Sequence, residues 1–303
     1  MAKWSLGINL GFAVNRFPEP QVWTQIVGER LGLRKVQFVA DLFNPHLSHG
    51  VVAEHVRRTV RAAQAHDISI DTTFTSAFTR VNHLLHPDRS VRDHWEEWFN
   101  GFVELSAQLG ARGSGSHFGI FSVHDFDDAG TRRVRFDEAV ERWGRISRRA
   151  REVGLQFLLI EPMSIGREVG ETVDEAARVL TALNEAGEVP FRFCLDVDHG
   201  NRLSGRPEDG DPYVWLRRFA AVSPVIHIKQ SRADAYGHWP FTPEFNGVGL
   251  IEPQRVVRAL EDGGSEGAVL TFEIAHKERA DLEARVVRDL EASVAYWRAG
   301  LGT

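Results

Sequence analysis

Cysteine is nearly absent. Cys194 is the only one in 303 residues, so no intrachain disulfide can form, which fits a reducing compartment. Its place in the apolar run Phe191–Leu195 reads as a small buried core residue. Long apolar runs are missing as well. No stretch approaches the roughly 20 residues that a membrane helix needs. The amino-terminal MAKWSLGINLGFAVNRF lacks the extended uncharged apolar core and small-residue cleavage site of a signal peptide. The expectation is a cytoplasmic protein with no membrane partner. Positive charge is not in excess: 36 Lys and Arg face 42 Asp and Glu, for a net charge of −6. That balance argues against a nucleic-acid binder, which usually carries a basic face, but leaves room for a local basic pocket that takes a small phosphate. Glycine fingerprints are missing too. The first strand-like run leads into Gly11-Phe12-Ala13-Val14-Asn15-Arg16, which is no G-x-G-x-x-G, the stretch Gly113–Gly119 fails the same spacing, and there is no P-loop.

What is present is a repeat of short apolar runs and amphipathic ones. The strand-like runs are Trp4–Leu10, Lys35–Ala40, Ile68–Phe74, Gly113–Ile120, Leu155–Ile160, Phe191–Asp196, Val225–Lys229 and Val269–Ile274. Most are apolar throughout rather than alternating, as strands covered on both faces are. Between them lie helical stripes at spacings of three and four. Trp95, Trp98, Phe99, Phe102, Leu105 and Leu109 form one; Leu282, Val286, Leu290, Val294 and Trp297 form another. The aromatic stripe is read as helix-on-sheet packing rather than a cofactor platform. Thr172 stands in capping-box spacing to Glu175, and Asp211-Pro212 opens another helix. Gly110, Gly154 and Gly187 are expected C-caps. Eight βα units of about 38 residues predict a (β/α)8 TIM barrel, an α/β fold in which residues 1–303 make one domain. Loops that follow barrel strands form the face where active sites sit.

Acids and histidines fall at the ends of those strands. Glu161 ends LQFLLIE, Asp196 ends FRFCLD, His227 lies in PVIHIK and Glu273 ends AVLTFE. Each alone is as easily a loop charge or an ion pair. Four of them at matching places in successive units converge on one mouth. Three carboxylates and one imidazole suit a hard or borderline divalent ion, Mn²⁺ first, with Mg²⁺ or Co²⁺ as alternatives; structural zinc would want more Cys or His. His199, three residues after Asp196, is placed to bind a substrate oxygen. Asp198 either orients a neighbour or faces solvent. Beyond His227, Arg232 is the chosen cation for a substrate phosphate or hydroxyl, with a loop salt bridge as the alternative. His238 is expected in a long loop at the mouth, and His117 is open between pocket and core. His46, His49, His83 and His86 are expected at the surface or in loops.

At these residues the chain resembles the xylose-isomerase-like barrel superfamily, and in particular its sugar and sugar-phosphate epimerases. The matching pieces are IEP at 160–162, LDVDHGN at 195–201, IHIKQ at 226–230 and FEIA at 272–275. Outside the site, GINLGFAVNRFPEPQ at 7–21, LGLRKVQFVADLFNP at 31–45 and HWPFT at 238–242 are similar to bacterial erythrulose-1-phosphate 3-epimerases. Many ketose 3-epimerases place an arginine six residues after the ligand histidine; position 233 here is Ala, and Arg232 comes one residue earlier. The resemblance implies metal-dependent proton transfer next to a sugar carbonyl through an enediolate, with Glu161 and Glu273 as the catalytic acid/base pair as well as ligands. It implies a small sugar or sugar-phosphate substrate and a homodimer or homotetramer. Aldose–ketose isomerisation, a C-glycoside-cleaving subunit and a non-catalytic sugar-binding protein are alternatives on the same fold. A DNA-repair endonuclease would want several metals, more ligand histidines and a basic groove.

Overall fold

The computed structural model describes residues 3–279 and 283–303. Eight parallel strands close into a barrel in the order β1-β2-β3-β4-β5-β6-β7-β10, with β10 returning to β1. They are β1 (Trp4–Asn9), β2 (Lys35–Val39), β3 (Ser69–Phe74), β4 (Gly113–His117), β5 (Phe157–Glu161), β6 (Phe191–Asp196), β7 (Val225–Ile228) and β10 (Ala268–Phe272). Between β7 and β10 the chain adds an antiparallel hairpin, β8 (Gln230–Arg232) and β9 (Ala235–Trp239).

The helices are α1 (Pro20–Gln25), α2 (His49–Ala65), α3 (Arg89–Gln108), α4 (Val123–Asp127), α5 (Ala129–Glu152), α6 (Val173–Ala186), α7 (Pro212–Phe219), α8 (Pro243–Asn246), α9 (Pro253–Asp262) and α10 (Glu283–Leu301). The aromatic stripe lies on α3 and its end, where Trp98, Phe99, Phe102, Leu105 and Leu109 are buried. Val286, Leu290, Val294 and Trp297 are buried on α10, while Leu282 lies outside the described residues. Thr172 caps α6 by accepting from the Glu175 backbone N–H, and Asp211 caps α7 ahead of Pro212. Gly110 and Gly154 take the left-handed conformation that ends a helix, at φ 81° and 88°; Gly187 ends α6 with extended backbone instead.

Strand β4 explains how the barrel interior is filled. Its sequence, GSGSH, is not apolar, yet every residue in it is buried. A Cβ on Gly113 would come within 2.2 Å of the Phe157 ring, and one on Gly115 within 2.6 Å of Phe74. Glycine is needed there because large neighbours fill the space. Phe74, Phe157, Leu159, Cys194 and Val225 form a separate apolar cluster, and Cys194 is a buried core residue as expected.

Two expectations are corrected. His83 is not a surface or loop residue: it is fully buried in a short 3₁₀ turn, its ring 5.2 Å from Phe99 and 4.4 Å from His117. The segment between β3 and α3 folds inward over the aromatic stripe, so burial holds His83 well below the usual histidine pKa. His46 and His49 are exposed, and His86 is half-buried. Residues 230–239, read as loop, contain the hairpin, because its short strands follow β7 almost without a break.

Candidate metal centre and substrate cavity

Parallel pairing sets the height of each ligand-type residue. Asp196 is level with His227, and His117 with Glu161; the Glu273 N–H bonds to the Ile228 carbonyl, next to His227. The four ends therefore meet at the C-terminal rim. Glu161, Asp196, His227 and Glu273 each offer a donor atom, and these atoms lie within 4.8 Å of one another. His227 Nδ1 is 2.8 Å from Glu161, 3.6 Å from Glu273 and 3.8 Å from Asp196. On the other side of the ring, Nε2 donates to Gln37 Oε1 at 2.7 Å. That amide oxygen also accepts from Asn9 at 2.8 Å, which fixes its orientation. With Nε2 committed to Gln37, Nδ1 is the atom turned to the carboxylates. This is how metal-binding histidines are usually oriented.

Lys229 completes the site. It is fully buried, and its ammonium donates to Asp196 and, at 2.8 Å, to Glu273. Burial pulls the Lys229 pKa down, but Asp196, Glu273 and Glu161 outweigh that and raise it, so the ammonium stays charged. Burial pushes Glu273 up, but the charges of Lys229, His227 and His238 hold it well below the usual carboxylate range. The Lys229 charge leads burial in lowering His238. Three carboxylates outnumber the one ammonium, so the site keeps an excess of negative charge that a cation can offset. The donor set of three oxygens and one imidazole nitrogen suits a divalent ion.

Above the quartet opens a cavity of about 680 Å³, lined by Glu161, Glu273, His117, His199 and His238 among others. His199 Nδ1 is 3.1 Å from the Pro162 carbonyl and 3.7 Å from Glu161. His117 faces the cavity while largely buried, and burial takes its pKa down to about 4. Arg232 is not among the lining residues. It is exposed on the hairpin and forms a two-pronged pair with Asp234, at 2.8 and 2.5 Å, which is the loop salt bridge. Asp198 does not face solvent. It is buried and accepts from Ser231, from Arg202 at 2.7 Å and from the Gly237 N–H at 2.7 Å, pinning the hairpin to the β6 loop.

The sequence reading passed over Lys229 in favour of Arg232 and missed Gln37. Lys229 had a signal: two residues after His227, it lies on the same face of the same chain segment. Gln37 had one also, as a lone amide in the apolar strand KVQFV, where an uncharged polar side chain must find a buried partner.

The closed barrel and the rim of acids and imidazole define a class, and the comparisons agree: the chain belongs to the xylose isomerase-like TIM barrel family, matched over residues 28–296. It is an enzyme of the isomerase class, a sugar or sugar-phosphate isomerase or epimerase. It is 37% identical over 302 residues to the D-erythrulose 1-phosphate 3-epimerase of Brucella abortus (strain 2308), covering 99% of this chain and 97% of that one. A Rhodospirillum rubrum structure named as a candidate xylose isomerase superposes with a TM-score of 0.88 at 26% identity, covering 98% and 99% of the two chains. The D-psicose 3-epimerase of Clostridium cellulolyticum H10 shares the fold, with a TM-score of 0.72 at 15% identity over 98% and 99%.

Proposed function

We propose that this chain is a divalent-metal-dependent ketose 3-epimerase acting on a short phosphorylated ketose such as erythrulose 1-phosphate. The observation that carries the reading is the quartet Glu161, Asp196, His227 and Glu273, whose donor atoms lie within 4.8 Å of one another at the rim of a substrate-sized cavity. The full-length Brucella relative supports the choice of substrate. Mn²⁺ is the proposed ion, and when bound it supplies Lewis-acid stabilisation of the negative charge that develops beside the sugar carbonyl.

The chain's own residues handle the proton. Inverting C3 of a 2-ketose means removing the C3 proton, leaving an enediolate across C2 and C3, and returning a proton to the other face. Glu161 on β5 and Glu273 just after β10 stand three strand positions apart around the ring of eight, so they reach the cavity from separated directions. One carboxylate takes the proton and the other, protonated, gives one back. Such positioned acid/base groups contribute roughly 10²–10⁴-fold each. His199 and His238, both on the cavity wall, hold substrate oxygens, and His117 lines the same cavity.

The test is a panel of tetroses to hexoses, free and phosphorylated, assayed with Mn²⁺ and then with chelator. Glu161→Gln and Glu273→Gln should each abolish turnover while circular dichroism and melting stay native; full activity in either removes the assignment. The Rhodospirillum structure favours a second reading, aldose–ketose isomerisation. Turnover in D₂O separates the two, with label at C3 for epimerisation and at C1 or C2 for isomerisation.

A further inference from the structure

Two arginines line the cavity, and they differ in one respect. Arg80 is held by the buried carboxylate of Glu168, through Nε at 2.9 Å and Nη2 at 2.7 Å. Arg16 is not held in this way. Its side chain is only 7% exposed, yet its Nε and Nη2 are buried without a hydrogen-bond partner among the described residues. Only Nη1 is bonded, to the exposed carboxylate of Glu278 at 3.2 Å; Glu283 stands 3.6 Å from Nε. A buried guanidinium edge without acceptors costs stability, on the order of 1–3 kcal/mol per unsatisfied group, unless a ligand supplies them. A second orphan lies on the same wall. His276 is 4% exposed, its Nε2 is 3.0 Å from Asp289, and its Nδ1 has no hydrogen-bond partner among the described residues.

Topology brings the two together. Arg16 lies beyond β1 and His276 beyond β10, and these strands are neighbours where the barrel closes. Both residues line the one cavity that also holds Glu161 and Glu273. The loop after the last barrel strand is a frequent phosphate-binding place in this fold class.

We propose that Arg16 and His276 form the subsite for the phosphate of the substrate, with the Arg16 Nε–Nη2 edge taking two phosphate oxygens side by side. His276 is turned by Asp289 so that Nδ1 meets the same group. It accepts from a protonated oxygen and donates to an unprotonated one when the ring carries both protons. Glu278 and Glu283 are the counter-charges that keep the guanidinium in place before the anion arrives. This deepens the reading of the chain as a sugar-phosphate epimerase and rests on it for the identity of the ligand.

Binding is tested apart from turnover. The full chain is titrated with inorganic phosphate by calorimetry in the presence of chelator, so that no bound metal takes the anion. Wild type should bind, and Arg16→Met should weaken binding roughly 10- to 100-fold, the range expected for charge-assisted hydrogen bonds, with Arg16→Lys in between because it keeps charge and loses the fork. Equal binding by wild type and Arg16→Met, or none by wild type, overturns the subsite. Should Arg16→Met fail to fold, Glu278→Gln gives the converse reading: removing the competing carboxylate should tighten phosphate, and weakened or unchanged binding counts against Arg16. In kinetics, the preference for phosphorylated over free ketose, as a ratio of kcat/KM, should fall by a similar factor in Arg16→Met. A preserved preference sinks the subsite and leaves the epimerase reading standing; loss of all turnover in wild type with phosphate binding intact does the reverse.

Discussion

At the scale of single residues, the site depends on what lies behind His227. Gln37 receives Nε2–H and is itself oriented by Asn9, so one amide decides which ring nitrogen faces the carboxylates. Replacing it by Leu keeps the volume and removes the acceptor. Gln37→Leu should lower Mn²⁺ affinity roughly 10- to 100-fold, the usual cost of losing such a supporting partner, measured by calorimetry on folded protein. Affinity within twofold of wild type would show that Gln37 does not set the ring. The four rim residues were legible because each sits at a strand end in successive βα units, where sequence position translates directly into spatial position. Arg16 and His276 were not singled out. Their importance lies in atoms left without partners, and an absent partner leaves no trace in the order of residues.

Among the elements, the β8–β9 hairpin is the one the strand-and-helix rhythm did not announce. It follows β7 directly, its strands are three and five residues long, and one buried side chain from the β6 loop bonds to it at both ends. Asp198 accepts from Ser231 at one end and from Gly237 at the other. Burial first, and the nearby Asp196 second, push its pKa up. The hairpin carries Tyr236 and His238 to the cavity wall. Asp198→Ala should release it: KM should rise several-fold, and amide exchange across 230–239 should quicken, while exchange in the barrel strands stays slow. Exchange in the hairpin at the wild-type rate would mean that other contacts hold it. Strand β4 teaches the opposite lesson. GSGSH was read as a strand through its position in the repeat, yet only the packing of Phe74 and Phe157 against it shows why glycine stands at 113 and 115.

For the whole molecule, a largely buried cluster of three carboxylates concentrates like charge, offset in part by Lys229 and His227. A divalent ion that binds only the folded chain stabilises it by about 2.7 kcal/mol at a hundredfold excess over Kd. For a domain of this size that is a rise in Tm of roughly 4 °C, to be read by calorimetric melting with Mn²⁺ against chelator; no shift at saturating metal would argue that the quartet holds none. The way the barrel closes has a further consequence, for assembly. β1 finds one of its two neighbours only when β10 arrives, some 260 residues later in the chain. Glu273 follows β10 immediately, and the loops of Arg16 and His276 flank that same seam. A chain that has formed only its first seven strands therefore still lacks one member of the proposed proton-transfer pair and one side of the proposed phosphate subsite. Sealing the seam is what turns a nearly finished fold into a working catalyst, so an incomplete chain released early would be inert toward sugar rather than carelessly reactive.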